Sequence, residues 1–234
     1  MQSLVNEPFL KKRATYARWG SYLGIGALFV GLITSTRHPL LAYLFLLVGL
    51  LGATFGSFMT NRYVREPRAD QTLQNALNGL DKRYGIYNYY LSSDHVIASH
   101  FGLTALVPKP QEGEVTYDGR RWHHKAGWRK LLQLFGEPNL SKPDQELERE
   151  VKFLEEWITE VMPEQNIPVN GVIVFTSPRV TLSVTDLPVS AVTSGDLADH
   201  MKHGFKGQPP LSTAVRKELG RILDEVVAAS QPSA

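Results

Sequence analysis

Residues 120–130 hold the densest group of side chains able to do chemistry. Arg120, Arg121, His123, His124, Lys125, Arg129 and Lys130 are interleaved there with Trp122 and Trp128. Lysine and arginine neutralise phosphates and aromatic rings stack on bases, so the run has the means to hold nucleic acid. The same cations suit the anionic inner leaflet of a membrane. A solvated hairpin face with one buried tryptophan needs neither partner. His123 and His124 are neighbours in an expected strand, so they point to opposite faces and cannot chelate one ion. His200 and His203 stand three apart on an expected helix and could share a metal, with no third ligand in evidence. The chain has no cysteine, which excludes disulfides, cysteine-ligated zinc, iron–sulfur clusters and thiol nucleophiles. Phosphate-loop, nucleophile-elbow and His-Glu-x-x-His patterns are also missing.

The elements that would position these groups are legible from periodicity. Leu73, Ala76, Leu77 and Leu80 share one face of a helix predicted over 70–82, with Asp70 placed to cap it. Three runs rich in β-branched and aromatic residues follow as strands: Tyr84–Leu91, Asp94–Ser99 and Gly102–Pro108. Glu114–Tyr117 and Arg120–His124 flank Asp118-Gly119, the signature of a two-residue hairpin. A short helix is expected around Trp128–Leu134. Over 144–161, Leu147, Val151, Leu154, Ile158 and Val161 make an apolar stripe. Gly171–Thr176 suits a strand buried on both sides, with further strands at Arg179–Val184 and Val189–Val192. Helices near 195–203 and 212–229 close an α/β sheet protein with helices on its faces.

The stretch Asp94-His95-Val96-Ile97-Ala98-Ser99-His100-Phe101-Gly102-Leu103-Thr104-Ala105-Leu106-Val107-Pro108-Lys109, followed by Gly113, resembles the NERD (nuclease-related) domain. That family has Asp-His opening one strand, a glycine-led turn, and an apolar strand ending Glu-x-Lys. Ala69-Asp70 stands where the family has Gly-Glu, with Leu77 in step. Trp122 matches its tryptophan after the hairpin, Gln145 its glutamine opening the long helix, and Val172–Phe175 its later apolar strand. The resemblance covers about residues 66–203. It implies a restriction-endonuclease-like mixed sheet flanked by helices, in core order α-β-β-β-α-β. It also implies an Asp and a Glu on Mg²⁺ and a Lys beside the attacking water, with metal and lysine stabilising charge during phosphodiester hydrolysis. Asp94 and Lys109 would carry those roles, with Asp70 as a shorter substitute for the first-helix Glu. Position 107, however, is Val where the metal-binding Glu is expected, and Pro108 removes a backbone donor. Glu112 or Glu114 could reach back as a substitute. The expectation is therefore a degenerate domain that keeps the fold, needs no cofactor and binds nucleic acid or another partner. An active nuclease would need Mg²⁺, and a structural or scaffolding membrane protein is the third reading. Taken as residues alone, Asp94 is a turn cap, Lys109 an exposed lysine and Asp70 an N-cap.

Residues 19–36 and 39–60 contain no charged side chain and each has the length of a membrane span. Arg37 and His38 separate them, and Pro39 suits a helix start. Lys11, Lys12, Arg13 and Arg18 precede the first run, while Arg62, Arg65 and Arg68 follow the second. Basic flanks are retained inside, so both termini should be cytoplasmic in a bacterial-type inner (plasma) membrane protein. A signal peptide fits less well, because a second run follows at once and no small-x-small cleavage site precedes it. Gly20, Gly24, Gly52 and Gly56 could serve close hairpin packing or a homodimer. The expected organisation is a basic segment over 1–18, a transmembrane hairpin over 19–60, a NERD-like domain over 66–205, and a C-terminal helix and tail over 206–234.

Overall fold

The computed structural model describes residues 1–125, 140–205 and 207–231. The expected helix around Trp128–Leu134, and with it Arg129 and Lys130, lies outside them. The described residues divide into two compact units, one built from residues 7–68 and the other from residues 1–6, 69–125, 140–205 and 207–231.

The first unit is a helical hairpin of α1 (Glu7–Thr34) and α2 (Pro39–Tyr63). Among the described residues, one helix, α2, is long and apolar enough to cross a membrane. Only 17% of its most apolar window is buried, far too little for the core helix of a soluble protein. In α1 the uncharged part runs only from Trp19 to Thr34, because the N-terminal turns carry Lys11, Lys12, Arg13 and Arg18. The helices meet through their smallest residues. A Cβ added at Gly24 would lie 2.4 Å from the Ala53 nitrogen, and one at Gly52 would lie 2.9 Å from the Gly24 Cα. Gly20 and Gly56 face the opposite helix in the same way, so all four glycines are used within the hairpin. Such backbone approach gains van der Waals contact that larger residues would prevent.

The second unit is a mixed α/β domain. Its elements are β1 (Gln2–Val5), α3 (Ala69–Ala76), β2 (Gly85–Asn88), β3 (His95–Ser99), β4 (Gly102–Lys109), β5 (Gly113–Asp118), β6 (Trp122–Lys125), α4 (Pro143–Val161), β7 (Val169–Phe175), β8 (Val180–Thr185), β9 (Ser190–Thr193), α5 (Leu197–His203) and α6 (Thr213–Ala229). Among the described residues one sheet has the order β1-β2-β3-β4-β7-β9 and a smaller one β6-β5-β8. In the large sheet β2, β3 and β4 are antiparallel, whereas β1 joins β2, β7 joins β4 and β9 joins β7 in parallel.

One face of the large sheet packs Ile86, Ile97, Leu106, Val172 and Val174 against α3 and α5 through Leu73, Leu77, Leu197 and Met201. On the other face, Val96, Leu103 and Ala105 meet Leu154 and Ile158 of α4 and Leu219, Ile222 and Leu223 of α6. The C-terminal helix thus shares the domain's core. Gly171 lets α4 lie close, since a Cβ there would meet Leu147 and Val151 at 2.7–2.8 Å.

Three local outcomes differ from the expectations. Residues 2–5, expected within a basic N-terminal segment, form edge strand β1. The strand expected to reach Leu91 stops at Asn88, because Tyr89 has φ +66° and its N–H turns back to the Asp94 carbonyl (2.7 Å). The helix expected to reach 82 ends at Ala76 in a tightening turn, with Asn78 N–H donating to the Asn75 carbonyl. Pro108 remains inside β4. It lies beyond the last β3 pairing, where β4 has a neighbour on one side only, a position that tolerates proline.

Candidate functional site

Val107 and Lys109 lie at the C-terminal end of β4, on the sheet face that α4 covers, whereas α3 with Asp70 packs on the opposite face. Alternation along β4 puts Leu103, Ala105, Val107 and Lys109 on one face. Val107 is 2% exposed and packs with Val115, Leu140, Leu147, Ile173 and Phe175. A carboxylate there would be desolvated among hydrocarbon, so the valine completes a core. Two residues on, Lys109 is also buried, and its Nζ donates to Glu146 Oε2 at 2.5 Å. Glu146 sits in the first turn of α4 beside Asp144, where the helix dipole favours negative charge. Lys109 is therefore a buried, paired cation and not an exposed lysine.

Asp94 is half-buried and lies one residue ahead of β3. Continuing the β3–β4 register from Val96↔Ala105 sets it level with Val107. Asp70 is 2% exposed and lies inside the first turn of α3, which starts at Ala69, so it is not the N-cap that the sequence suggests. Glu112 and Glu114, the expected substitutes for a ligand at 107, point elsewhere: Glu112 pairs with Arg179 (2.7 Å) and Glu114 with Lys125 (3.0 Å). Among the described residues no three His, Cys, Asp or Glu side chains are grouped to hold a metal ion, His200 and His203 included.

The β5–β6 hairpin carries the described part of the basic cluster. Asp118 accepts from the backbone N–H groups of Arg120 and Arg121 and pairs with His123 Nε2 at 2.8 Å. The His123 hydrogen bond, helped by those N–H groups, holds the Asp118 carboxyl down to about 2. His124, on the other face, donates from Nε2 to the Glu112 carbonyl (2.7 Å). Lys125 is engaged by Glu114, which leaves the exposed side chains of Arg120 and Arg121 at the turn. Trp122 is a packing residue: its Nε1 donates to Asp144 and its ring lies 5.1 Å from Tyr117 and 6.0 Å from Phe175. Base stacking on Trp122 would require it to leave that contact.

Sequence reasoning missed a buried polar network at the β1 edge. Asn88 is fully buried; its Nδ2 donates to the Leu4 carbonyl (3.2 Å) and its Oδ1 accepts from His95 Nδ1 (2.8 Å). Asn6 donates to the Tyr89 carbonyl and the Tyr90 hydroxyl to the Val5 carbonyl. His95 thus orients the Asn88 amide that holds β1, and one asparagine in a strand-rich run was the only signal. Glu146 was missed because its contact with Lys109 spans 37 residues. No family model, no curated protein and no solved structure matches this chain.

Proposed function

We propose that this chain is a two-span integral membrane protein carrying a NERD-like, restriction-endonuclease-like domain on the cytoplasmic side. The domain is a catalytically degenerate nuclease relative that binds nucleic acid or another partner at the membrane surface. The observation that supports the anchor is the pairing of β1 with β2. β1 precedes the hairpin and β2 follows it, yet Gln2–Val5 is in register with Gly85–Asn88. A chain that leaves one folded sheet and returns to it crosses a bilayer an even number of times. If α2 crosses, α1 must supply the other passage. Its outward side chains agree: Trp19, Tyr22, Leu23, Phe29, Leu32 and Ile33 are all at least 60% exposed. Basic flanks at both ends of the hairpin favour a cytoplasmic domain.

For the chemistry, the supporting observation is Val107 in an apolar cluster beside a lysine already neutralised by Glu146. The element order α3–β2–β3–β4–α4–β7, with β5–β6 inserted, agrees with the nuclease-like core. Exposed Arg120 and Arg121 offer phosphate contacts. The full chain in detergent should be used, because truncation before residue 66 would remove β1. It should retain DNA at low salt, release it as salt rises, and cleave neither plasmid nor single strands in Mg²⁺ or Mn²⁺. Activity gained in Val107→Glu would support a lapsed metal site. DNA retention absent at every salt concentration would favour a structural or scaffolding protein.

One observation favours the active-nuclease reading: Glu146 brings a carboxylate from α4 to the motif lysine. Cleavage by the wild type that disappears in both Lys109→Ala and Glu146→Gln would establish that reading and sink the degenerate one.

A further inference from the structure

The hairpin contains an apolar groove of about 600 Å³ lined by Tyr16, Trp19, Leu23, Val48, Phe55 and the glycines between them. It exists because the helices meet glycine to glycine, so that larger neighbours stand as walls around a low floor. From Tyr16 to Gly24 it extends roughly 12 Å along α1 at 1.5 Å per residue. Its lining carries almost no polar surface.

The mouth is different. Lys12 lies one turn before Tyr16 on the same face of α1, and Arg62 lies seven residues after Phe55 on the same face of α2. Both are exposed. Antiparallel packing that sets Gly24 against Gly52 and Ser21 against Gly56 makes Arg62 level with position 15 of α1, so Lys12 stands about 4.5 Å higher at the same end of the groove. Arg13 stands close by, over the rings of Phe9 (4.9 Å) and Tyr63 (5.7 Å). Tyr16 and Trp19 occupy the level between cations and hydrocarbon, where amphipathic rings favour an interface.

We propose that this groove is a binding site for an anionic phospholipid, with the upper part of one acyl chain between α1 and α2 and the phosphate at Lys12 and Arg62. The inference rests on the membrane reading above. A second copy of the hairpin is the other apolar occupant to weigh. In one membrane it would bring its own cations to the same height, and like charges would oppose the contact. A lipid phosphate instead brings a charge of the opposite sign to that level.

Native mass spectrometry of the full chain in detergent tests the site with phosphatidylglycerol and phosphatidylcholine of identical chains. Phosphatidylglycerol should be retained about thirtyfold better, a factor of about five for each of the two basic residues. The double variant Lys12→Glu/Arg62→Glu should lose that preference and keep its helical circular dichroism. Val48→Trp, which fills the groove, should lower retention of both lipids. Millimolar inorganic phosphate should displace neither. Equal retention of the two lipids by the wild type would overturn the proposal, as would displacement by free phosphate or a lipid-free dimer. Alkaline carbonate extraction from native membranes is the separate check: release of the chain would remove the membrane reading itself. Retention in the membrane without lipid selectivity would remove only the lipid site.

Discussion

The helical hairpin and the α/β domain are built on opposite rules. In the domain, Leu73, Ile97 and Leu154 are wholly buried. In the hairpin, Leu40 is 85% and Ile33 73% exposed, while Gly24, Gly31, Gly49 and Gly56 are buried. Burial of leucine stabilises a domain because water is the alternative. Where the surroundings are themselves apolar, leucine gains nothing by turning inward, and close backbone contact through glycine decides which faces pair. That inversion within one chain is what the proposed membrane hairpin requires.

Substitutions can break this contrast in a graded way. The largest effect belongs to Leu154→Ala, which should cost the domain about 2–5 kcal/mol and lower its thermal midpoint. Leu40→Ala in detergent should stay within about 0.5 kcal/mol. Comparable losses for the two would remove the two-solvent reading. Next comes Gly24→Val, which drives a Cβ against the Ala53 backbone and should cost the hairpin about 3 kcal/mol by overpacking. Cross-linking between cysteines introduced on α1 and α2 would report the separation, and an unaltered yield would mean the helices do not meet there.

Asn88→Ala should cost about 1–3 kcal/mol, because the Leu4 carbonyl and the His95 ring both lose a buried partner. Hydrogen exchange should rise first at residues 2–6, which would separate loosening of β1 from general unfolding. The smallest effect is on pH dependence. Burial lowers the His100 pKa, and it lowers that of His200 as well. Folding therefore favours their neutral forms, and stability should fall as pH drops below about 6.5, where the unfolded chain takes up protons first. His100→Phe and His200→Phe together should flatten that slope in thermal melts. A slope unchanged by the pair would assign it to other groups.

Much of the fold was readable locally. Leu147, Leu154 and Ile158 at helical spacing marked α4, and Asp118-Gly119 marked the β5–β6 turn. The candidate site was only half readable. Asp94, Val107 and Lys109 could be singled out as residues, whereas the partner of Lys109 could not. Register also carried more than composition: Glu112 and Glu114 looked available as ligands until Arg179 and Lys125 were found beside them.

What the sequence alone determined is whatever depends on near neighbours: the period of each helix, the turns, the two uncharged runs and the basic residues flanking them. These follow from backbone sterics and from which side chains share a face within a few residues. Tertiary structure decided the rest. It placed Gln2–Val5 beside a strand more than eighty positions away, it set Glu146 on Lys109, and it tied Asn88 to both the Leu4 carbonyl and the His95 ring. Each of these depends on segments brought together only by the collapse of the chain, and no local pattern of residue types encodes that distance.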